Sequence, residues 1–292
     1  MRVTFASPGR RRGVALLGSL VLGMGLVASG CGDDDEGGGD SESGAPAQVE
    51  IVATESGKTA QLEVPASVEA GMAEITLTNE GEGPHSAQLL RVEGEHDEAE
   101  VLEGLDAAQR GEAFPDWFFA GGGTGTVNPG ESVTVTQELE AGSTYWVVDD
   151  EAQGEPPLEP IEITGEGDDT ALPETDNVVT AVDFGFEAET LAAGEAVTFK
   201  NEGVEPHHMI AVPFLDEEAT TADIETFFEE EEGPPPVDFD SGVFTSVLEG
   251  GTEQVSGASL DAGRYALLCF ISNRDGGPPH IELGMIDEVE VE

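Results

Sequence analysis

The chain has 292 residues, of which 62 are Asp or Glu and only 10 are Lys or Arg, for a formal net charge of −52. So large an excess of acid repels nucleic acid and gives no purchase on an anionic membrane surface, which excludes functions that need a basic face. It suits a protein held in solution by concentrated salt, where screening within a few ångströms removes most of the self-repulsion. A halophilic or salt-tolerant setting is the expectation.

The N-terminus carries Arg2, Arg10, Arg11 and Arg12 ahead of an apolar, small-residue stretch over 14–27, the layout of an export signal spanning residues 1–30. The stretch is too short and too rich in Gly for a membrane span. Arg11-Arg12 has the pairing of a twin-arginine signal without the aromatic residue usual after it, so the export route stays open. Ala28-Ser29-Gly30-Cys31 resembles a lipobox, although Ala28 stands where Leu is commoner. That resemblance implies lipidation of Cys31 and an extracytoplasmic protein attached to the membrane through its lipid anchor only. Cys269, the only other cysteine, then has no disulfide partner, and a lone thiol in an oxidising compartment must be buried or bound to metal.

Residues 31–47 hold Cys31 followed by Gly, Asp, Glu, Ser and Pro with almost nothing to bury, and read as a disordered acidic tether. After it the chain repeats itself. Thr76-Leu77-Thr78-Asn79-Glu80-Gly81-Glu82-Gly83-Pro84-His85 matches Thr198-Phe199-Lys200-Asn201-Glu202-Gly203-Val204-Glu205-Pro206-His207, and Leu139-Glu140-Ala141-Gly142-Ser143-Thr144-Tyr145 parallels Leu260-Asp261-Ala262-Gly263-Arg264-Tyr265. Two domains follow, 48–165 and 177–292, joined by an acidic linker over 166–176.

Short β-branched or alternating runs bounded by Gly, Pro and Asp predict strands over 178–186, 196–200, 253–258, 265–270 and 282–291. Each half also carries one helical pattern, 97–108 in the first and 221–232 in the second. The predicted fold class is all-β: two tandem Greek-key β-sandwiches, each with a short helical insertion.

His207, Cys269, His280 and Met285 carry most of the chemistry. A thiolate, two imidazoles and a weak thioether are the ligand set of a blue-copper site. His207 ends the run from Phe199 through Asn201 and Pro206, and Cys269 follows the apolar strand Tyr265-Ala266-Leu267-Leu268. Both segments resemble the blue copper proteins, or cupredoxins, of the plastocyanin and halocyanin kind. The resemblance implies one copper per chain, in the C-terminal domain, with Cys269 and the two imidazoles in a plane and Met285 as the long axial ligand. It also implies a redox partner protein meeting an exposed edge of His280, with Pro278, Pro279 and Ile281 as an apolar rim.

Two features depart from the family. Ten residues separate Cys269 from His280, where relatives usually have two to four; such a loop closes at little extra cost but is expected to be less rigid. His208 stands where many relatives have an Asn that braces the ligand loops, and could replace His207 as ligand, though the spacing favours His207. In the first domain His85 remains, but Asp149 holds the position of Cys269 and residues 151–163 contain neither His nor Met, so no thiolate-bound copper can form there. His85 is expected to keep a structural hydrogen bond. Asp149 and Asp150 are either solvated acids or ligands of a hard cation, and His96 has no partner in view.

No His-X-His pair, Gly-X-Ser-X-Gly turn, phosphate-binding glycine loop or His-Glu-X-X-His helix occurs, and Cys269 is flanked by Leu268 and Phe270. The expectation is therefore a one-electron carrier and not an enzyme. The alternatives left open are a metal-free surface module that binds another surface protein, and a protein for copper storage or delivery.

Overall fold

Residues 45–292 are described by a computed structural model, except 58, 168, 169, 231 and 232. The export signal, Cys31 and all but the last residues of the tether lie outside the described residues, as do positions 231 and 232 of the second expected helix. The N-terminal half forms β1 (Ala47–Ser56), β2 (Thr59–Glu63), β3 (Ser67–Glu69), β4 (Gly71–Asn79), β5 (His85–Val92), α1 (Glu98–Gln109), β6 (Phe118–Val127), β7 (Ser132–Leu139), β8 (Thr144–Val148) and β9 (Leu158–Thr164). The C-terminal half forms β10 (Asn177–Val182), β11 (Gly185–Ala188), β12 (Val197–Asn201), β13 (Ile210–Pro213), α2 (Thr221–Glu230), β14 (Val243–Phe244), β15 (Glu253–Ser256), β16 (Gly263–Leu268) and β17 (Ile286–Val291). The all-β expectation holds, with one α-helix inserted in each half.

Two runs differ from the sequence reading. Residues 178–186 are not one strand but the hairpin β10–β11, which turns at Asp183-Phe184 with Phe184 in the left-handed conformation at φ 68°. The run over 282–291 starts inside a 3₁₀ turn, His280–Leu283, which Gly284 closes at φ 93° before β17 begins.

Each half is a β-sandwich. The sheet β3-β9-β8-β5-β6 closes the first and β14-β13-β16-β17 closes the second, while their other layers fuse into one sheet of order β11-β10-β12-β15-β7-β4-β1-β2. The fusion is the antiparallel pairing of β15 with β7, Gln254 opposite Gln137 and Ser256 opposite Val135. A second seam joins the chain after β14 to β5 and β6. There Val247 N–H donates to Gln88 Oε1 at 2.6 Å, Gly122 N–H to the Val247 carbonyl at 3.0 Å, and Ser246 Oγ to the Thr124 carbonyl at 2.8 Å. All described residues lie within one compact unit, and no helix among them is long and apolar enough to cross a membrane.

Strand alternation decides which side chains face the sandwich interior. Along β16, Tyr265 and Leu267 join the inter-sheet core with Phe199, Met209 and Met285, and the next residue of that parity is Cys269. Ala266 and Leu268 face the other way into a cluster with Ile224 of α2. This is why the strand reads as a continuous apolar run: the helix covers its outer face. The first half repeats the scheme, with Tyr145 and Val147 inward and Val148 turned toward Val101 of α1. Helix α1 starts where Asp97 caps it reciprocally with Glu100.

Phe199 is wholly buried at the centre of the C-terminal core. Phe199→Ala should lower stability by about 3–5 kcal/mol in chemical denaturation. A loss below about 1 kcal/mol would show that this cluster is not what holds the sandwich together.

Candidate metal centre

Asn201, at the end of β12, builds the approach to His207. Its Nδ2 donates to the Glu205 carbonyl at 2.8 Å and the Leu248 carbonyl at 3.0 Å, and its Oδ1 accepts from Gly203 N–H at 3.0 Å. The chain is thereby folded back so that His207 pairs with Leu248 through both backbone groups, at 3.0 and 2.8 Å. Cys269 enters from β16 on the inward parity, and His280 opens the 3₁₀ turn that leads to Met285.

The three side chains meet. His207 Nδ1 and His280 Nδ1 are 3.0 Å apart, and each lies 3.6 Å from Cys269 Sγ. The point equidistant from the corners of that isosceles triangle is about 2 Å from each, the bond length a transition metal makes to imidazole and thiolate. All three residues are wholly buried, and no other group of His, Cys, Asp and Glu among the described residues converges in this way. Met285, also wholly buried, lies in the same apolar cluster as Cys269, and its N–H donates to the His280 carbonyl at 3.0 Å. The set fits a type 1 copper site.

Each imidazole is held from behind. His280 Nε2 donates to Asn273 Oδ1 at 2.9 Å, and the Asp183 carboxylate faces His207 Nε2 at 3.5 Å, an electrostatic contact rather than a hydrogen bond. Both contacts favour the tautomer whose Nδ1 lone pair faces the common point. Asp183 is itself fixed by the N–H groups of Val204 and Glu205, at 2.9 and 3.3 Å.

His208 is not a ligand. Its Nε2 accepts from Phe270 N–H at 2.9 Å, tying the His207 segment to the Cys269 segment. It thus performs the bracing expected of the Asn it replaces. The long loop is also less slack than its length implies, because it is pinched at its base. His280 N–H donates to the Ile271 carbonyl at 2.8 Å and Ile281 N–H to the Cys269 carbonyl at 2.7 Å, with Ser272 bridging Pro279 above them. The additional residues form an excursion beyond a short, closed base.

The first sandwich keeps the frame and changes the contents. Asn79 makes the bonds of Asn201, to Gly83 at 2.8 Å, Val127 at 2.7 Å and Gly81 at 2.8 Å, and Glu55 lies 3.6 Å from His85 Nε2 as Asp183 does from His207. At the centre, His85 Nδ1 contacts Asp149 Oδ2 directly at 2.6 Å. Asp149 Oδ1 accepts from Ser86 N–H at 3.0 Å and Glu151 N–H at 3.2 Å. The structural hydrogen bond expected of His85 is therefore this pairing, and the Asp149 oxygens are engaged by protein donors.

Three expectations are corrected. His280 has no exposed edge: it is buried, with Phe184 packed edge-on against its ring at a centroid distance of 5.3 Å. Ile281 belongs to the cluster under α2 and not to a surface rim. His96 does have partners, stacking on Trp117 at 3.7 Å with Glu100 3.5 Å from its Nδ1. Sequence reasoning missed Asp183, Phe184 and Asn273. Asn273, seven residues before His280 in the loop, was the one with a legible signal.

No protein-family model matches the sequence, and comparison with curated proteins finds no match either. Solved structures do match. A dithionite-reduced auracyanin from the photosynthetic bacterium Roseiflexus castenholzii is 18% identical, over 41% of this chain and 99% of that one, with a TM-score of 0.26. A multicopper oxidase is 14% identical over 84% of this chain and 88% of its own, with a TM-score of 0.23. A copper-containing nitrite reductase from Thermus scotoductus SA-01 is 14% identical over 84% of this chain and 68% of its own, also at 0.23. The expectation that the chain is not an enzyme is overturned by the last two, since copper enzymes match across most of its length.

Burial sets the protonation of the metal-free site. It pushes the Cys269 thiol up to about 12, against the opposing N–H groups of His208 and Ile271. It pulls His280 down to about 4, with His207 adding to the effect, and lowers His207 despite Asp183. Near pH 7 the site is therefore one thiol and two neutral imidazoles, and only the thiol has a proton to lose to an entering metal. Binding of one Cu(II) at pH 7 should release about one proton, measured with a pH indicator in weak buffer, and apparent affinity should rise about tenfold per pH unit there. Release of two or more protons would contradict this assignment.

Proposed function

We propose that the chain is an extracytoplasmic, lipid-anchored carrier of single electrons, holding one copper ion between His207, Cys269 and His280 with Met285 as a weak fourth donor. The observation that carries this reading is the buried triangle of two Nδ1 atoms and one Sγ, sized for a metal bonded to all three. Copper in such a set supplies a reversible Cu(I)/Cu(II) couple and an intense thiolate-to-copper absorption. The chain supplies the rest. The apolar cluster around Cys269 and Met285 keeps water from the donors. Asn273 and Asp183 hold the imidazoles in one orientation, so that the donor positions need not rearrange when the charge at the centre changes.

With His280 buried, contact with a redox partner falls to its cover. Phe184 is 39% exposed and touches the His280 ring, and Val204, also exposed, donates its N–H to Asp183, the residue before Phe184. These apolar side chains offer a docking point on a surface otherwise dominated by acid, and the partner is a redox protein able to approach such a surface in salt.

The soluble fragment from residue 48 titrated with Cu(II) should turn blue at one copper per chain, and Cys269→Ala should remove the colour. Protein that stays colourless and takes up neither Cu(II) nor Cu(I) would refute the reading. In the blue protein, Phe184→Ser should leave the absorption band in place and slow electron exchange with a redox protein by about tenfold. Unchanged exchange would put the docking point elsewhere.

A further inference from the structure

The excursion of the ligand loop ends on the N-terminal sandwich. Arg274, next to Asn273, lays its guanidinium over the Phe119 ring at 4.6 Å and donates to the Phe118 carbonyl at 3.0 Å, while its Nη1 pairs with Glu249 at 2.9 Å. Backbone bonds close the contact on either side: Phe114 N–H donates to the Arg274 carbonyl at 2.8 Å, and Gly277 N–H to the Gly111 carbonyl at 2.9 Å. Glu249 also accepts from Ala120 N–H at 3.0 Å, so the acid that holds Arg274 is itself anchored in β6. The approach is close enough to need glycine, since a Cβ at Gly111 would stand 2.7 Å from the Gly277 carbonyl oxygen and one at Gly276 would stand 2.8 Å from that of Gly111.

We infer that the N-terminal sandwich, whose own centre holds a His85–Asp149 pair in place of metal ligands, acts as a clamp on the ligand loop of its neighbour, with Arg274 as the positioning residue. The line of force is short. The segment from Gly111 to Ala120 holds Arg274 and Gly277; the adjacent Asn273 holds His280 Nε2; and His280 Nδ1 is a corner of the donor triangle. An excursion of this length would on its own sample many conformations, and docking on a second sandwich removes that freedom before a metal arrives. The sandwich without a thiolate thus serves the centre it does not contain. The consequence for copper rests on the function proposed above; the clamp itself does not.

The test uses the whole mature protein. Without metal, Arg274→Ala should speed amide exchange over residues 272–280 by about tenfold and leave exchange in β12 and β16 unchanged. With copper it should raise the rate of copper loss to a chelator by about tenfold while the blue band persists. Arg274→Lys, which keeps the charge but not the planar fork, should fall between. Arg264→Ala, which removes an arginine paired to Glu288 within the C-terminal sandwich, should change neither reading. If Arg274→Ala does not fold, Phe119→Ser decides, because that ring belongs to none of the apolar clusters and lies on the opposite side of the contact. Exchange over residues 272–280 within twofold of wild type in the metal-free variant would overturn the clamp. A wild-type protein that never turns blue would instead overturn the copper reading and leave the clamp decided by exchange alone.

Discussion

Two imidazoles and a thiol sharing a dry triangle with sides of 3.0, 3.6 and 3.6 Å are the constraint on which the C-terminal sandwich is built. Polar groups taken out of water need partners, and these three have their donor atoms turned toward one another in a way that hydrogen bonds among them cannot fully satisfy. A metal bonded to all three resolves the problem. The N-terminal sandwich meets the same problem differently: with Asp149 where Cys269 would stand, the carboxylate bonds His85 directly and takes the neighbouring backbone N–H groups as well. One frame thus supports two solutions to the burial of a histidine, one needing a metal and one not.

That frame comes from features far from the donors. Asn79 and Asn201 fold the same turn with the same three bonds, and the carboxylates of Glu55 and Asp183 stand behind the two histidines. Helices α1 and α2 cover the outer faces of β8 and β16, which lets those strands be apolar on both sides and turn Asp149 and Cys269 inward by parity. The shared sheet through β7 and β15 brings the two sandwiches within reach of each other. Only across that seam can the excursion after Ser272 find a surface to rest on.

Much of this was legible in the sequence. The Asn-Glu-Gly and Pro-His repeat marked the turns, the apolar run before Cys269 marked the buried strand, and the four donors stood in family order. The helical pattern over 97–108 located the start of α1 within one residue. What was hidden depends on tertiary contact. The left-handed Phe184 splits a run that alternates like one strand, because nothing in its own residue type announces φ 68°. His280, on a polar Gly- and Pro-rich loop, read as exposed; it is buried because a distant hairpin lays Phe184 across it. Loop length alone suggested a slack site, whereas the Ile271 and Cys269 carbonyls close the base and Arg274 pins the tip. His208 read as a rival ligand, and only the position of the Phe270 N–H shows it to be a brace.

The central claim, that His207, Cys269 and His280 form one preformed copper site, is tested most directly by X-ray absorption at the copper edge of the loaded wild-type protein. The account predicts one short sulfur neighbour and two imidazole nitrogens, all at about 2 Å. Copper surrounded only by oxygen and nitrogen, with no short sulfur contact, would contradict it.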